Sequence, residues 1–197
     1  MIKNIIFDMG NVLLRFDPEV SLQAYLDNDT DRAIIRKELF EAPEWLMADE
    51  GKITNAERYE PVSKRVPEYL HEVLHRFVDN WHICLTPIAG AKEFIDYCKE
   101  KGYHLYVLSN ADDTFHNYFP KAYPLSLFEG ITVSSDVKMI KPHRCIYEYF
   151  LSHHGLNADE CLFIDDRAEN IEGAEELGIH GFVFCKNYDR LKEEYQL

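Results

Sequence analysis

The stretch Lys3-Asn4-Ile5-Ile6-Phe7-Asp8-Met9-Gly10-Asn11-Val12 decides how the rest of the chain is read. Residues 3–7 are nearly continuous in apolar character and too short for a helix, which is the pattern of a strand buried on both faces of a parallel sheet. The run ends in a carboxylate and passes at once into turn-forming Gly10 and Asn11. An acid at the carboxyl end of a buried strand stands where open α/β sheets bind their ligands.

Four more runs of this type follow at residues 104–108, 131–134, 161–164 and 181–184. Helical patterns alternate with them. Thr86-Pro87 pairs a capping residue with a proline suited to the first helical position, and Phe94, Ile95 and Cys98 then form an apolar stripe that Gly102 ends. Residues 145–154 stop at Gly155 and residues 168–177 stop at Gly178. The alternation predicts an α/β fold, a doubly wound parallel five-stranded sheet with right-handed crossovers. Residues from Phe16 to Leu85 show no strand pattern but helical ones, at residues 33–40, 56–66 and 70–81. They are expected to form an inserted helical cap domain, 16–85, on a core domain built from 1–15 and 86–197.

The 197 residues carry 21 Lys and Arg against 35 Asp and Glu, a net charge of −14. Such a surface repels phosphate backbones and anionic lipid, so nucleic acid and membranes are not expected partners. No run approaches 18 apolar residues, and Asp8 and Asn11 break the N-terminal one, which points to a cytoplasmic protein without a signal segment. The five cysteines are odd in number and widely spaced, and they read as reduced core or boundary thiols.

The segments after the predicted strands gather the chemistry: Asp8 after the first, Ser109-Asn110 after the second, Lys141-Pro142 after a later loop, and Asp165-Asp166 with Asn170 after the fourth. Carboxylates about 4 Å apart repel by about 4 kcal/mol per pair in a surface-like dielectric. A hard divalent cation, Mg²⁺ most naturally, removes that conflict and attracts a phosphate. A carboxylate is then free to act as nucleophile while the cation and Lys141 neutralise the transferring group.

These four runs, in this order, resemble the motifs of the haloacid dehalogenase superfamily of hydrolases, a Rossmannoid fold, and the resemblance spans residues 4 to about 184. It implies that Asp8 is the catalytic nucleophile forming an aspartyl-phosphate, with its second oxygen on Mg²⁺. It implies that Ser109 and the backbone of Asn110 bind the phosphoryl oxygens, and that Lys141 bridges Asp8 and the phosphate. Asp166 and the backbone carbonyl of Gly10 would complete the metal ligands, with Asp165 and Asn170 outside them. Phe7-Asp8-Met9-Gly10-Asn11-Val12-Leu13 also resembles the Asp-x-Gly-Asn branch of sugar-phosphate phosphatases, such as bacterial glucose-1-phosphate phosphatase. The expected substrate is a small phosphorylated metabolite, and this branch implies a sugar phosphate.

One departure stands out. Most phosphatases of the superfamily carry an acid–base Asp two positions after the nucleophile, and Gly10 occupies that position. General acid–base help is worth about 10²–10⁴-fold, so its loss predicts slower turnover rather than none. Asp17 and Asp112 are the substitutes the sequence suggests. Gly10 also keeps open a catalytically weak phosphate-binding or regulatory protein. A metal-free 2-haloacid dehalogenase is the other rival, although the paired Asp165-Asp166 would repel the carboxylate of its substrate.

Two further features have competing interpretations. His71-Glu72-Val73-Leu74-His75 fits the H-E-x-x-H zinc pattern, yet the stripe Leu70, Val73, Leu74, Phe77 turns the other face of that helix inward, leaving both histidines at the cap surface. Trp45, Tyr59, Tyr69 and Trp81 are expected mainly in the small helical core, with Trp45 and Met47 the candidates for a substrate pocket.

Overall fold

The computed structural model describes residues 1–197. β1 (Asn4–Phe7) is followed in chain order by β2 (Leu14–Phe16), α1 (Pro18–Tyr25), α2 (Asp29–Ile35), α3 (Pro43–Asp49), α4 (Tyr59–Ser63), α5 (His71–Asn80) and β3 (Leu85–Pro87). The chain continues through α6 (Ala91–Glu100), β4 (His104–Ser109), α7 (Phe115–Ala122), β5 (Gly130–Val133), α8 (Ser134–Val137), α9 (Arg144–His154), β6 (Cys161–Asp165), α10 (Ala168–Glu175), β7 (His180–Val183) and α11 (Tyr188–Tyr195).

Five strands form one sheet in the order β5-β4-β1-β6-β7. All four pairings are parallel, with Phe7 level with Val107 on one side and Ile164 on the other. β1 is central because every one of its residues is buried. Alternation along the strands sorts side chains to two faces: Ile5, Phe7, Leu105 and Val107 pack with Phe94, Ile95 and Cys98 of α6, while Ile6, Tyr106, Leu108 and Phe163 pack with Ile146, Tyr147 and Phe150 of α9 and Ile171 of α10. This is the doubly wound α/β core that the strand–helix alternation predicted. The connections leave β1 to β4 and return to β6, so the crevice beyond the ends of these three strands is the topological switch point.

The segment between β2 and β3 is helical, and its ends differ from expectation. β2 and β3 pair antiparallel, Leu14 opposite Pro87 and Phe16 opposite Leu85. Thr86-Pro87 therefore belongs to a two-stranded ribbon and does not start a helix; α6 starts after Gly90, whose φ is +83°. A proline is tolerated there because each strand of a two-stranded ribbon is an edge. Two helices lacked a clear apolar period and escaped the sequence reading, α1 and α3, each with proline at its first turn. The expected stops at Gly155 and Gly178 are present, both with positive φ.

Tyr69 is exposed rather than part of the helical core, and its hydroxyl donates to Asp31. His71 is not turned to solvent: its Nε2 lies 3.0 and 3.1 Å from the carbonyls of Ser63 and Val66, and His75 stacks on Tyr59 at 3.6 Å. Glu72 is engaged by Arg76. His71 thus fastens the helical segment to itself, while His75 stays at the exposed surface as expected. Cys84, Cys98 and Cys161 are buried thiols, Cys145 and Cys185 are exposed, and none is disulfide-bonded. No helix is long and apolar enough to cross a membrane.

Phe163 lies at the centre of the second face, edge-on to Tyr147 and beneath the Lys141 ammonium at 5.1 Å. Phe163→Ala is expected to cost about 3–5 kcal/mol of stability, read as a lowered urea midpoint at unchanged slope.

Candidate active site

β1 delivers Asp8 to the crevice. Its backbone N–H donates to the Ile164 carbonyl at 2.8 Å, extending the sheet ladder one residue past the strand. Lys141 arrives from the loop before α9 and is 3 % exposed. Its Nζ is 2.9 Å from Asp8 Oδ1, 2.7 Å from Asp165 Oδ2 and 2.9 Å from the Leu108 carbonyl. Asn110 fixes the backbone on which this lysine is carried: its Oδ1 accepts from Lys141 N–H and its Nδ2 donates to the Lys141 carbonyl, both at 2.9 Å. Asp165, fully buried, also accepts two bonds from Asn170 Nδ2 at 3.0 Å and one from Arg167 N–H.

Asp166 is the half-buried member of the pair. Asn11 orients it, donating from Nδ2 to Oδ2 at 3.0 Å. Asn11 itself sits at φ +53°, a left-handed conformation that asparagine tolerates better than most residues, and its Oδ1 accepts from Phe16 N–H. This positioning role was not foreseen, although the Gly-Asn turn is a signal for it. Ser109 is fully buried and its Oγ has no partner within the protein, while it does not itself reach the cavity wall. An orphaned buried hydroxyl costs roughly 1–3 kcal/mol, a cost removed only if its O–H donates to an oxygen brought against it.

Charge in this crevice is unbalanced. Ligand oxygens of Asp8, Asp165 and Asp166 lie within 4.8 Å of one another against the Lys141 ammonium, the Arg167 guanidinium on the cavity lining being already paired with Glu169. Burial pushes the Asp8 carboxyl up to about 7, with Lys141 pulling it down and Asp165 and Asp166 pushing it further up. Burial likewise raises Asp166. Burial alone would lower Lys141, but Asp165 and Asp8 overcome this and hold it above its ordinary value, so it stays charged. Three oxygen donors around a negative surplus fit a hard divalent cation, with Asp8 and Asp166 lining the cavity and Asp165 already committed to Lys141 and Asn170.

The cavity encloses about 210 Å³ and is lined by Asp8, Gly10, Asn110, Lys141, Asp166 and Asn170. The helical segment adds Trp45, Leu46, Asp49 and Trp81, and β2, β3 and α7 add Phe16, Leu85 and Tyr118. Trp45 thus reaches the cavity as expected of it and Met47 does not, while Trp81 is buried in the core as expected and lines the cavity as well. Neither suggested acid–base substitute is there. Asp17 caps α1 and pairs with Arg15, and Asp112 is 1 % exposed, with Oδ2 on Arg58 at 2.8 Å and Oδ1 on Thr114. The acid that does line the cavity, Asp49, was missed, because nothing in a single sequence places the end of a short helix over a distant strand.

Residues 2–178 match the model of the haloacid dehalogenase-like hydrolases, and the chain belongs to this family of hydrolases. It is 31% identical over 198 residues to the sesquiterpene phosphatase astK of Aspergillus oryzae, covering 99% of this chain and 96% of that one. It is 24% identical to a D-ribitol-5-phosphate phosphatase of Bacteroides thetaiotaomicron, over 92% of this chain and 91% of the other. Among solved structures, a wild-type enzyme of the family from Bacteroides thetaiotaomicron in complex with magnesium and inorganic phosphate superposes with a TM-score of 0.74 at 25% identity, covering 97% and 99% of the two chains. The donor set around Asp8 and Asp166 is in keeping with magnesium as the cofactor.

Because the folded protein holds the Asp8 proton up to about pH 7 while the unfolded chain releases it near 3.8, rising pH across that window weakens the metal-free fold. Asp8→Asn lacks this loss. Thermal unfolding in EDTA should show the stability difference between the two proteins moving in the variant's favour from about pH 4 to about pH 7 and staying constant above, and Mg²⁺ should oppose that change by stabilising wild type.

Proposed function

We propose that this hydrolase is a Mg²⁺-dependent phosphatase that cleaves a small phosphate monoester through an aspartyl-phosphate on Asp8. The observation that carries the reading is the buried Lys141 ammonium held between Asp8 and Asp165 beside a third carboxylate. A phosphate dianion needs this cation-compensated pocket, whereas a 2-haloacid brings one carboxylate and would meet the surplus of acids unaided.

In this reading Asp8 is aimed by its strand and by Lys141, so its attacking oxygen has little freedom to lose before reaction. Lys141 stabilises charge on the transferring phosphoryl group, and the unpartnered Ser109 hydroxyl, which does not line the cavity, must turn into it to donate to a phosphoryl oxygen. Asp165 and Asn170 hold Lys141 in place. Asp8, the Gly10 carbonyl and Asp166 would hold Mg²⁺, which when bound supplies the positive charge that keeps Asp8 ionised near neutral pH. Water then hydrolyses the aspartyl-phosphate and restores the Asp8 carboxylate.

Residues 16–85 act as the cap domain on this reading, covering the phosphate end and selecting the leaving group. The polar lining is concentrated on the core, while Phe16, Trp45, Leu46, Trp81 and Leu85 supply apolar surface. That distribution favours a leaving group with apolar bulk over a bare sugar, and the sesquiterpene phosphatase among the relatives points the same way.

Phosphate release from p-nitrophenyl phosphate, isoprenyl and alkyl monophosphates and sugar phosphates tests this. Release should require Mg²⁺ and fall by at least ~10³-fold in Asp8→Asn; equal rates for the two proteins would refute the phosphatase reading. Trp45→Ala should raise KM for the isoprenyl ester more than for a sugar phosphate, and the reverse order would return the substrate class to sugars.

A further inference from the structure

Gly10 leaves the side of Asp8 open: a β-carbon built there would meet only Asp8 Oδ2, at 3.7 Å. The same cavity is lined by Asp49, the last residue of α3. Although it belongs to the helical segment, Asp49 is fastened to the core. Ser134 Oγ donates to the Asp49 carbonyl and itself accepts from the N–H of Ala111, one residue beyond the Ser109-Asn110 turn. Two residues on, Gly51 has φ +66° and lies so close to Ser135 that a β-carbon would sit 2.4 Å from the Ser135 carbonyl oxygen. The end of α3 is therefore docked on the loops that form the phosphate end of the cavity, and Asp49 is not carried on a free arm.

Nothing in the protein engages its carboxyl group by hydrogen bonding; it feels burial, then the charges of Arg58, Asp112, Asp8 and Glu50. Arg58 is committed to Asp112 and stacks on Trp45 at 4.3 Å, so it tempers Asp49 without sealing it in an ion pair. We propose that Asp49 is the general acid and base of this active site, taking the role for which Gly10 has no side chain. The placement rests on the phosphatase reading above and adds the proton path that reading lacks. Burial, opposed by Arg58 and reinforced by Asp112 and Asp8, moves Asp49 up to about 7, where both protonation states are within reach at neutral pH.

The steps balance as follows. An Asp8 oxygen forms a bond to phosphorus while the bond from phosphorus to the ester oxygen breaks, and the departing oxygen takes the proton of the Asp49 carboxyl. The Asp49 carboxylate next removes a proton from water as the water oxygen attacks the phosphorus of the aspartyl-phosphate. The bond from phosphorus to Asp8 breaks, orthophosphate leaves, and both acids are back in their starting forms.

Two leaving groups separate this role from a structural one. A p-nitrophenolate departs without a proton, whereas an alkoxide requires one. In Asp49→Asn, kcat/KM for an alkyl phosphate should fall by ~10²–10⁴-fold, while kcat/KM for p-nitrophenyl phosphate should change by less than ~10-fold, with a burst of nitrophenolate before a slowed steady state. The ratio of the two is internal to each preparation, so partial unfolding of the variant does not imitate it, and Asp49→Ser should show the same ratio. An equal loss on both substrates, or no loss on either, overturns the proposal. Failure of the phosphatase reading is a different result: wild type without Mg²⁺-dependent release, or Asp8→Asn as active as wild type.

Discussion

The active end of this molecule depends on one buried cation. Lys141 stands between Asp8 and Asp165 with almost no contact with solvent, and removing one member of such a buried set commonly costs about 3–5 kcal/mol because its partners are left uncompensated. Much of the nearby structure serves to keep that ammonium where it is. Asn110 grips its backbone from both sides, Leu108 offers a carbonyl, Asn170 takes up the remaining capacity of Asp165, and Phe163 lies beneath it. The residue has to come from a loop, since a lysine within the sheet could not reach the ends of β1 and β6 together.

A parallel sheet makes this convergence possible. β1, β4 and β6 all run in one direction and finish at one edge, so residues more than a hundred positions apart, Asp8 and Asp165, become neighbours without any local sequence relation. The same arrangement concentrates negative charge, and a part of the −14 carried by the chain is held where only a cation or a proton can relieve it. Burial and the neighbouring acids raise the Asp8 carboxyl, which favours a proton there where no metal is bound. The helical segment meets the core through the β2–β3 ribbon at its base, the end of α3 against Ser134 and Ser135, and the buried Arg58–Asp112 pair.

Legibility in the sequence followed the range of the interactions involved. The five core strands could be read because buried parallel strands are short apolar runs bounded by polar turns, Asp8 and Asp165-Asp166 because they end such runs, and Lys141 only through the family motif that follows a later loop. The glycine stops at Gly155 and Gly178 were equally local. β2 and β3 were hidden because each has three residues and pairs with a partner some seventy positions away. Thr86-Pro87 satisfied the local rule for a helix start and was overruled by that pairing. Asp17 and Asp112 were plausible acids by position on loops, but a helix cap and a buried arginine engage them. Asp49 had no local mark at all, since its place is set by the packing of α3.

Whether Asp8 carries the phosphoryl group can be read directly. Acid-quenching the enzyme during turnover of p-nitrophenyl phosphate with Mg²⁺, followed by proteolysis and mass spectrometry, should find a phosphorylated Asp8 that hydroxylamine removes and that EDTA prevents from forming. Steady phosphate release with an unmodified Asp8 at every quench time, or with the label on another residue, would contradict the assignment of Asp8 as the nucleophile.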